Sequence, residues 1–348
     1  MSLHARLDLF LGPFFFVFTL TVGLCILFLL FPFFNRHVWR EGSRHAGKES
    51  ISRLGGLAMF LAFFFTIVTD SHLVLSREIV GLLLGGLFVC GFGLWDDLRE
   101  ISFKAQAFFQ VAVTVIIFTF GIRITTIRNP FGEAWVIGEE GAIAVLLGFL
   151  LLLGWVLFVM NAVNWLDGMD GLLGSVTGIT FLTVFFLSLK PEVNQPPVAI
   201  LAIAGVGITA GFLLFNAPPA KILAGTTGSL FLGFLVAVLA VIAGTKVATA
   251  LLVLSLPIAD ALWVIGERLF AGKSIFLPDK RHLHYKLREL GWSEGHIALF
   301  FSAFTGLIAV IALNTEALGK LIAGSLIFTA IFSVLLFVAH RTARHAHS

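Results

Sequence analysis

The chain has 348 residues, of which 58% are apolar and only 12% are charged. Soluble domains carry about 25% charged residues and roughly 45–50% apolar residues, so these figures exclude a water-soluble enzyme and indicate an integral membrane protein. The net charge of +3 and the lack of a long basic block argue against nucleic acid as a partner.

The apolar residues form runs that are long enough to cross a bilayer, for which a helix needs about 20 residues. Leu, Phe and Val follow one another without the alternation of a β-barrel strand. We therefore predict an all-α polytopic integral membrane protein with a single transmembrane domain over residues 1–348. It has about eleven spans, at roughly 9–34, 54–70, 79–95, 103–121, 141–163, 171–189, 197–216, 228–243, 247–266, 296–313 and 318–340.

The basic residues predict the orientation of these spans. With eleven spans the two termini lie on opposite sides, and sixteen of the 23 Lys and Arg residues then fall on the side of the C-terminus. Because positively charged loops stay in the cytoplasm, we predict an outer N-terminus, a cytoplasmic C-terminus and a location in the cell membrane. Among the outer loops, residues 122–140 are expected to form a small hairpin.

The first polar cluster is the pair Asp96-Asp97, where the third span meets the cytoplasm. Two adjacent carboxylates at the C-terminal end of a helix are disfavoured by the helix dipole and by each other. A single Asp there would be interpreted as a solvated helix end, whereas a pair is better explained by a bound cation or a cationic group of a substrate. Lys104 follows closely and could hold a phosphate.

The second cluster is Asn161-Ala-Val-Asn164-Trp-Leu-Asp167-Gly-Met-Asp170-Gly, which joins the fifth and sixth spans. One Asp is explained as a cap for the free N–H groups at the start of the sixth span. Capping does not explain the two Asn residues or two Asp-Gly steps at membrane depth, where polar groups are costly and usually functional.

Two further cytoplasmic segments carry candidate ligands. The segment from Asn216 to Ser229 includes Gly-Thr-Thr-Gly, whose small residues would let an anion approach backbone N–H groups, although Thr and Ser are also ordinary helix caps. Residues 278–291 could form a basic helix on the lipid surface. His282 and His284 lie about 200° apart on a helix, so phosphate contact beside Arg281 fits them better than a shared metal.

A buried carboxylate, Asp260, lies inside the ninth apolar run. Arg268 follows it two turns later, and a structural pairing between the two side chains is the simplest expectation.

In this order, and all on one membrane face, the motifs resemble those of the polyprenyl-phosphate N-acetylhexosamine-1-phosphate transferases, glycosyltransferase family four. The resemblance runs from Arg53-Leu-Gly-Gly56 to Gly291. It implies that a sugar-1-phosphate, most simply GlcNAc-1-phosphate, moves from a UDP-N-acetylhexosamine to undecaprenyl or another polyprenyl phosphate. UMP is released, as in the first membrane step of cell-wall or surface polysaccharide synthesis. The resemblance also implies Mg²⁺, with Mn²⁺ as an alternative, and leaves a homodimer open.

The same resemblance assigns roles to individual residues. It implies catalytic roles at the phosphates and the metal for Asp96, Asp97 and Asp167. It implies metal ligands at Asn164, Asp167 and Thr226. It implies substrate-binding roles for Arg53, Lys104, Asn161, Asp170, Arg281, His282 and His284, with Asp170 near the uracil.

Two departures from the family's pattern keep alternatives open. Thr226 stands where the family's Met-Gly-Asp element supplies a metal-ligating Asp, so a catalytically impaired relative that binds nucleotide-sugar or lipid is one alternative. Tyr285 replaces a His of the His-rich segment, and the absence of the triple-His signature of the MurNAc-pentapeptide branch favours the GlcNAc-type branch. A transporter is a further alternative, but transporters place polar groups near the midplane of the membrane.

Overall fold

The computed structural model describes residues 3–31, 51–127, 129, 131–137, 141–244, 247–272 and 281–345. Within these ranges the chain is mostly helical, with one two-stranded sheet. The elements in chain order are α1 (Leu3–Leu30), α2 (Gly55–Thr69), α3 (Arg77–Leu98), α4 (Phe103–Thr119), β1 (Thr126–Ile127), β2 (Trp135–Val136), α5 (Ala142–Asn164), α6 (Leu172–Ser188), α7 (Pro196–Asn216), α8 (Gly225–Ile242), α9 (Val247–Val253), α10 (Ser255–Phe270), α11 (Leu283–Glu289), α12 (Glu294–Asn314) and α13 (Ala317–His345).

Seven helices in the described part of the chain are long and apolar enough to cross a membrane, namely α1, α3, α5, α7, α8, α12 and α13. The pair α9–α10 makes an eighth if it counts as one span. Helices α2, α4 and α6 are also apolar but shorter, at 15 to 17 residues. The protein is therefore an all-α polytopic membrane protein, as its composition predicts.

The ninth apolar run, predicted as one span over 247–266, is not one continuous helix. Helices α9 and α10 meet at Leu254 with a bend of 75°. Pro257 gives the physical reason, because a proline has no N–H to bond the carbonyl four residues earlier and its ring clashes with that carbonyl. The helix that ends at Val253 therefore cannot continue straight through Pro257.

Helix α8 lies at the centre of the bundle. Its side chains are buried around the whole circumference, which a helix shows only when neighbours cover it on every side. These neighbours include α2, α3, α5, α6 and α7. Gly56 of α2 lies so close to Gly228 of α8 that a Cβ built on Gly56 would be 2.1 Å from the Gly228 nitrogen. The N-terminus of α8 is thus a rigid point on which a site can be built.

The segment that leads into α8 is bonded to the start of α2. The Leu223 N–H donates to the Ser52 carbonyl oxygen at 2.8 Å. In return, the N–H groups of Gly55 and Gly56 donate to the carbonyl oxygens of Leu223 and Ala224 at 3.1 and 3.0 Å. The Arg-Leu-Gly-Gly element therefore lies beside the entry to α8, although the two segments are far apart in the sequence.

The hairpin predicted for residues 122–140 is confirmed. Strand β1 pairs antiparallel with β2, with Thr126 opposite Val136 and Ile127 opposite Trp135. The hairpin stands between α4 and α5, at the end of the bundle opposite the Asp96-Asp97 pair.

Candidate active site

Asp97 lies at the end of α3, and its carboxylate meets the N-terminus of α8. Its Oδ1 accepts a hydrogen bond from the Thr226 N–H at 2.8 Å, and its Oδ2 accepts from the Thr227 N–H at 2.9 Å and the Thr227 hydroxyl at 2.7 Å. The first N–H groups of a helix have no partner inside the helix and attract anions. The sequence predicted an anion here, and the anion that the structure shows is the chain's own Asp97.

Two glycines make this contact possible. Gly225 has a φ of +67°, and a Cβ built on it would lie 2.6 Å from Asp97 Oδ2. A Cβ on Gly93 of α3 would lie 2.6 Å from the Thr227 Cα. A larger residue at either position would push α3 away from α8, because atoms at these distances overlap.

Asp96 has a different environment from its neighbour. Its side chain is partly exposed, and its Oδ1 accepts a hydrogen bond from the Ile101 N–H at 2.9 Å, which closes the turn after α3. Within the described ranges no hydrogen bond reaches its other carboxylate oxygen. The carboxylate of Asp97 is therefore enclosed by α8, whereas Asp96 keeps an oxygen for a ligand.

Asn164 ends α5 beside the first turn of α8. Its Oδ1 accepts a hydrogen bond from the Ser229 hydroxyl at 2.6 Å. The same Ser229 hydroxyl lies 3.0 Å from the Gly225 carbonyl oxygen and 3.4 Å from that of Thr226. Ser229, to which the sequence analysis gave no role, thus brings two of the three predicted metal ligands, Asn164 and Thr226, into one cluster.

The three residues predicted to bind a metal carry only one carboxylate among them. Among the described residues no three His, Cys, Asp or Glu side chains are close enough to hold a metal ion together. The predicted donors are the Asn164 amide, the Thr226 hydroxyl and the partly exposed carboxylate of Asp167. Mg²⁺ commonly binds one or two carboxylates and keeps several waters or substrate phosphate oxygens. With a single carboxylate, these three residues could hold a Mg²⁺ ion only if waters or substrate phosphate oxygens supplied its other ligands.

Asp170 lies directly before the residue that precedes α6, and its carboxylate bonds the loop before α8. Helix α6 follows Gly171, which has a φ of +75° and, as a glycine, no side chain that could cap the helix. Asp170 is buried, and its Oδ2 accepts a hydrogen bond from the Ala220 N–H at 2.9 Å. The neighbouring Gly171 N–H donates to Asn216 Oδ1 at 3.0 Å. Asp170 and Asn216 therefore hold the loop after α5 against the loop before α8.

His284 is buried in α11, and both of its ring nitrogens lack a hydrogen-bond partner among the described residues. Its ring packs on Tyr285 with 4.3 Å between ring centroids, and a Cβ built on Gly168 would lie 2.6 Å from its Nε2. Burial lowers the pKa of His284 to about 4, so the ring is neutral at pH 7. A buried polar atom without a partner costs about 1–3 kcal/mol, which a ligand phosphate could relieve.

His282 lies beside His284, which corrects the expectation that the two rings diverge. Helix α11 begins at Leu283, and His282 precedes it with an extended ψ of 148°. The two rings are parallel, with 1° between their planes and 5.7 Å between centroids. The His282 ring also contacts Trp165, at 5.4 Å, in the loop that carries Asp167.

Asp260 contacts α11, and not the Arg268 that the sequence suggested as its partner. Its Oδ2 lies 2.9 Å from His282 Nδ1, and its Oδ1 accepts a hydrogen bond from the Leu283 N–H at 2.7 Å. Asp260 was not among the site residues predicted from the sequence. The position of Asp260 in an apolar run nevertheless indicated that its carboxylate has a polar partner.

Four residues predicted to bind substrate make none of the contacts described above. The Asn161 amide donates to Gln110 Oε1 at 3.0 Å and so links α5 to α4. Lys104 is exposed in the first turn of α4, and Arg53 is half-buried before α2. Arg281 lines an open groove of about 690 Å³ between α10, α11 and α13. Substrate binding by these four residues stays a prediction.

The chain is similar to known proteins over most of its length. The family model described as glycosyl transferase family 4 matches residues 79–244, which contain both Asp-rich clusters and the start of α8. The chain is 28% identical, over 83% of its length and 80% of the relative's, to a decaprenyl-phosphate N-acetylglucosaminephosphotransferase of Mycobacterium leprae. It is 26% identical, over 85% and 84%, to a probable undecaprenyl-phosphate N-acetylglucosaminyl 1-phosphate transferase of Bacillus subtilis.

A third relative settles the family. The chain is 33% identical, over 86% of its length and 95% of the relative's, to a phospho-N-acetylmuramoyl-pentapeptide-transferase of Geobacillus thermodenitrificans. Similarity of this extent, over most of both chains, shows a common family. With the α8 N-terminus, the loop after α5 and α11 gathered at one end of the bundle, the chain belongs to glycosyl transferase family 4.

Proposed function

We propose that this enzyme transfers N-acetylglucosamine-1-phosphate from UDP-N-acetylglucosamine to a polyprenyl phosphate and releases UMP. The observation that carries the proposal is the connected polar cluster at one end of the bundle, in which Asp97, Asn164 and Ser229 surround the N-terminus of α8. Trp165 and Gly168, in the loop that follows Asn164, bring the two His residues of α11 against it. Such a cluster offers oxygen ligands for a cation and the ring nitrogens of His282 and His284 for phosphates.

The identity of the transferred sugar can be judged from the relatives and from Tyr285. Relatives named for N-acetylglucosamine transfer are similar over more than four fifths of this chain. The chain is also similar to phospho-N-acetylmuramoyl-pentapeptide-transferases, so overall similarity does not decide between the sugars. Tyr285 does favour one of them, because it packs on His284 at a position where the muramoyl-pentapeptide branch is expected to carry another His.

The chemistry follows from the charges of the reactants. An oxygen of the lipid phosphate forms a bond to the β-phosphorus of the nucleotide-sugar, and the bond from that phosphorus to the bridging oxygen breaks, so that its electron pair leaves with UMP. The lipid phosphate is already mostly ionised at pH 7, since its second pKa is about 6. The protein therefore has to position two anions and reduce their repulsion, and it need not remove a proton.

Each site residue has a different proposed role in positioning the two phosphates. Asp96, with its open oxygen, orients the phosphates or the metal that binds them. Asp97 holds the N-terminus of α8 and so places Thr226. His284 and His282 offer ring nitrogens to the diphosphate. A Mg²⁺ ion bound by Asn164, Asp167 and Thr226 would supply positive charge to the phosphate oxygens.

We also propose eleven membrane crossings, with the N-terminus outside and the site facing the cytoplasm. Contacts between Asp97 at the end of α3, Asn164 at the end of α5 and the start of α8 require these three ends to share one face. Alternate crossing by every helix from α1 to α8, including the short α2, α4 and α6, gives that arrangement. The site then lies on the face that carries most of the basic loops.

Cysteine labelling tests this orientation. The native Cys25 and Cys90 are buried, so a single cysteine at Glu192 or at Glu289, both exposed, can be read separately. We expect an impermeant thiol reagent to label Glu289→Cys only from the cytoplasmic side and Glu192→Cys only from outside. The reverse pattern would place the site away from cytoplasmic UDP-sugars and contradict the proposed function.

A catalytically impaired relative is the second candidate, because Thr226 offers a neutral hydroxyl where a carboxylate is expected. One experiment separates the two. Purified protein is incubated with undecaprenyl phosphate, Mg²⁺ and UDP-GlcNAc, UDP-GalNAc or UDP-MurNAc-pentapeptide, and UMP and the lipid product are measured. We expect product with UDP-GlcNAc and none in excess chelator. Nucleotide-sugar binding without UMP release would identify the impaired relative.

A further inference from the structure

We propose that Asp260 is the positioning residue for His282, whose ring it fixes so that Nε2 is the nitrogen that meets the substrate diphosphate. The inference rests on the proposed function for the identity of that substrate. It adds a residue on α10 to a site otherwise built from α3, α5, α8 and α11.

The bend between α9 and α10 brings Asp260 to α11. Pro257 ends the straight path of α9, and Asp260 follows it by about one turn of α10. The carboxylate is buried and contacts α11 with both oxygens, through His282 Nδ1 at 2.9 Å and the Leu283 N–H at 2.7 Å. One side chain thus fixes both the start of the α11 backbone and the orientation of the ring just before it.

The other contacts of His282 fix the plane of the ring but not the identity of the nitrogen that it presents. Trp165 and His284 contact the ring at 5.4 and 5.7 Å. Either ring nitrogen could occupy the same plane, and only the bond to Asp260 distinguishes them. Among the described residues Nε2 has no hydrogen-bond partner.

The chemistry of the pair explains why a carboxylate stands here. A buried carboxylate accepts the Nδ1–H and thereby fixes the tautomer of the ring. When Nε2 also donates to a phosphate oxygen, both nitrogens carry protons and the ring is positive. Asp260 is the buried anion that balances this charge, which makes both hydrogen bonds charge-assisted.

The Asp260→Asn variant separates two effects of this side chain, which are holding the start of α11 and orienting the His282 ring. The Asn carbonyl oxygen can still accept the Leu283 N–H, so the start of α11 is retained. The Asn amide group presents an N–H to His282 Nδ1, and the balancing charge is gone. Glu267→Gln is the matched control, because Glu267 is another α10 carboxylate that bonds α11, through Lys286 at 3.1 Å.

The test is a double-mutant cycle in the full-length protein, with kcat and KM measured for UDP-GlcNAc. We expect Asp260→Asn and His282→Asn each to lower kcat/KM by about tenfold or more, and the double variant to be no worse than His282→Asn alone. Glu267→Gln should stay near wild type. Additive losses in the double variant, or no loss in Asp260→Asn, would overturn the proposal, because Asp260 would then act only by supporting α11.

An NMR measurement keeps this proposal separate from the proposed function. In protein labelled with ¹⁵N-histidine, we expect a hydrogen-bonded Nδ1–H resonance that disappears in His282→Asn and moves in Asp260→Asn. Its absence from the wild type would overturn the positioning role even if the enzyme is active. Its presence in a protein that makes no UMP would support the pair and contradict the proposed function alone.

Discussion

Asp97 Oδ1 lies 2.8 Å from the backbone nitrogen of Thr226, although 129 positions separate the two residues in the chain. This hydrogen bond joins the end of α3 to the start of α8. The two neighbouring Asp residues therefore differ: the carboxylate of Asp97 is bonded to α8, whereas one oxygen of Asp96 has no hydrogen-bond partner among the described residues. The same hydrogen bond to Asp97 fixes the backbone of Thr226 at the proposed metal site.

Asp97→Asn should therefore lower both activity and stability. An Asn side chain has one acceptor oxygen, so at least one of the buried donors on Thr226 and Thr227 loses its partner, at a cost of about 1–3 kcal/mol. We expect the melting temperature in detergent to fall by several degrees and UMP release to fall by about two orders of magnitude or more. Thermal unfolding and turnover of the same preparation measure both effects.

Asp96→Asn is the matched comparison. Its amide oxygen can still accept the Ile101 N–H, so we expect a similar loss of UMP release without a loss of thermal stability. Equal losses of stability in the two variants would contradict this difference between the two Asp residues.

Gly225→Ala should damage the same contact from the other side. The added Cβ would lie 2.6 Å from Asp97 Oδ2, at a φ of +67° that side chains rarely adopt. We expect at least about a tenfold loss of kcat together with a lower melting temperature. Gly91→Ala, on α3 with no atom within 4 Å of its new Cβ, should leave both unchanged. A normal kcat in Gly225→Ala would mean that the Asp97 contact is not needed for turnover.

Thr226→Asp tests the metal proposal. A carboxylate is a better ligand for Mg²⁺ than a neutral hydroxyl, so we expect the wild type to need an unusually high Mg²⁺ concentration and Thr226→Asp to lower the concentration for half-maximal rate. Thr226→Asn, neutral and of similar size to Asp, should not lower it. Reduced activity at every Mg²⁺ concentration would show that the added charge repels the diphosphate, and wild-type activity in excess chelator would rule out the metal.

The His284 ring predicts a loss of stability in mild acid. Its pKa falls from about 6.5 to about 4 in the folded protein, mainly because of burial. Between these values the unfolded chain binds a proton that the folded chain does not, so stability that is fully present above pH 6.5 is lost as the pH falls toward 4. Melting temperatures across this range should fall less steeply in His284→Gln than in the wild type. Parallel curves would contradict the burial of a neutral ring.

Much of this protein follows from its sequence. Its apolar content requires a helical membrane fold, because only helices and closed barrels satisfy their backbone groups in lipid. The same content makes each polar cluster conspicuous, so the residue pattern alone indicates Asp96, Asp97, Asn164, Asp167 and Asp170 as candidate site residues. The hairpin of β1 and β2 followed from its turn residues.

The partners of these side chains were decided by the tertiary structure alone. The sequence suggested Arg268 as the partner of Asp260, whereas the structure gives it His282. Nothing in the sequence indicated that Asp170 would bond the backbone of Ala220 in another loop. A local pattern can show that a buried polar group needs a partner, since an unsatisfied group is costly. Which distant group supplies it depends on how close two helices can approach, and that distance is set by the packing of glycines such as Gly93 and Gly56 around α8.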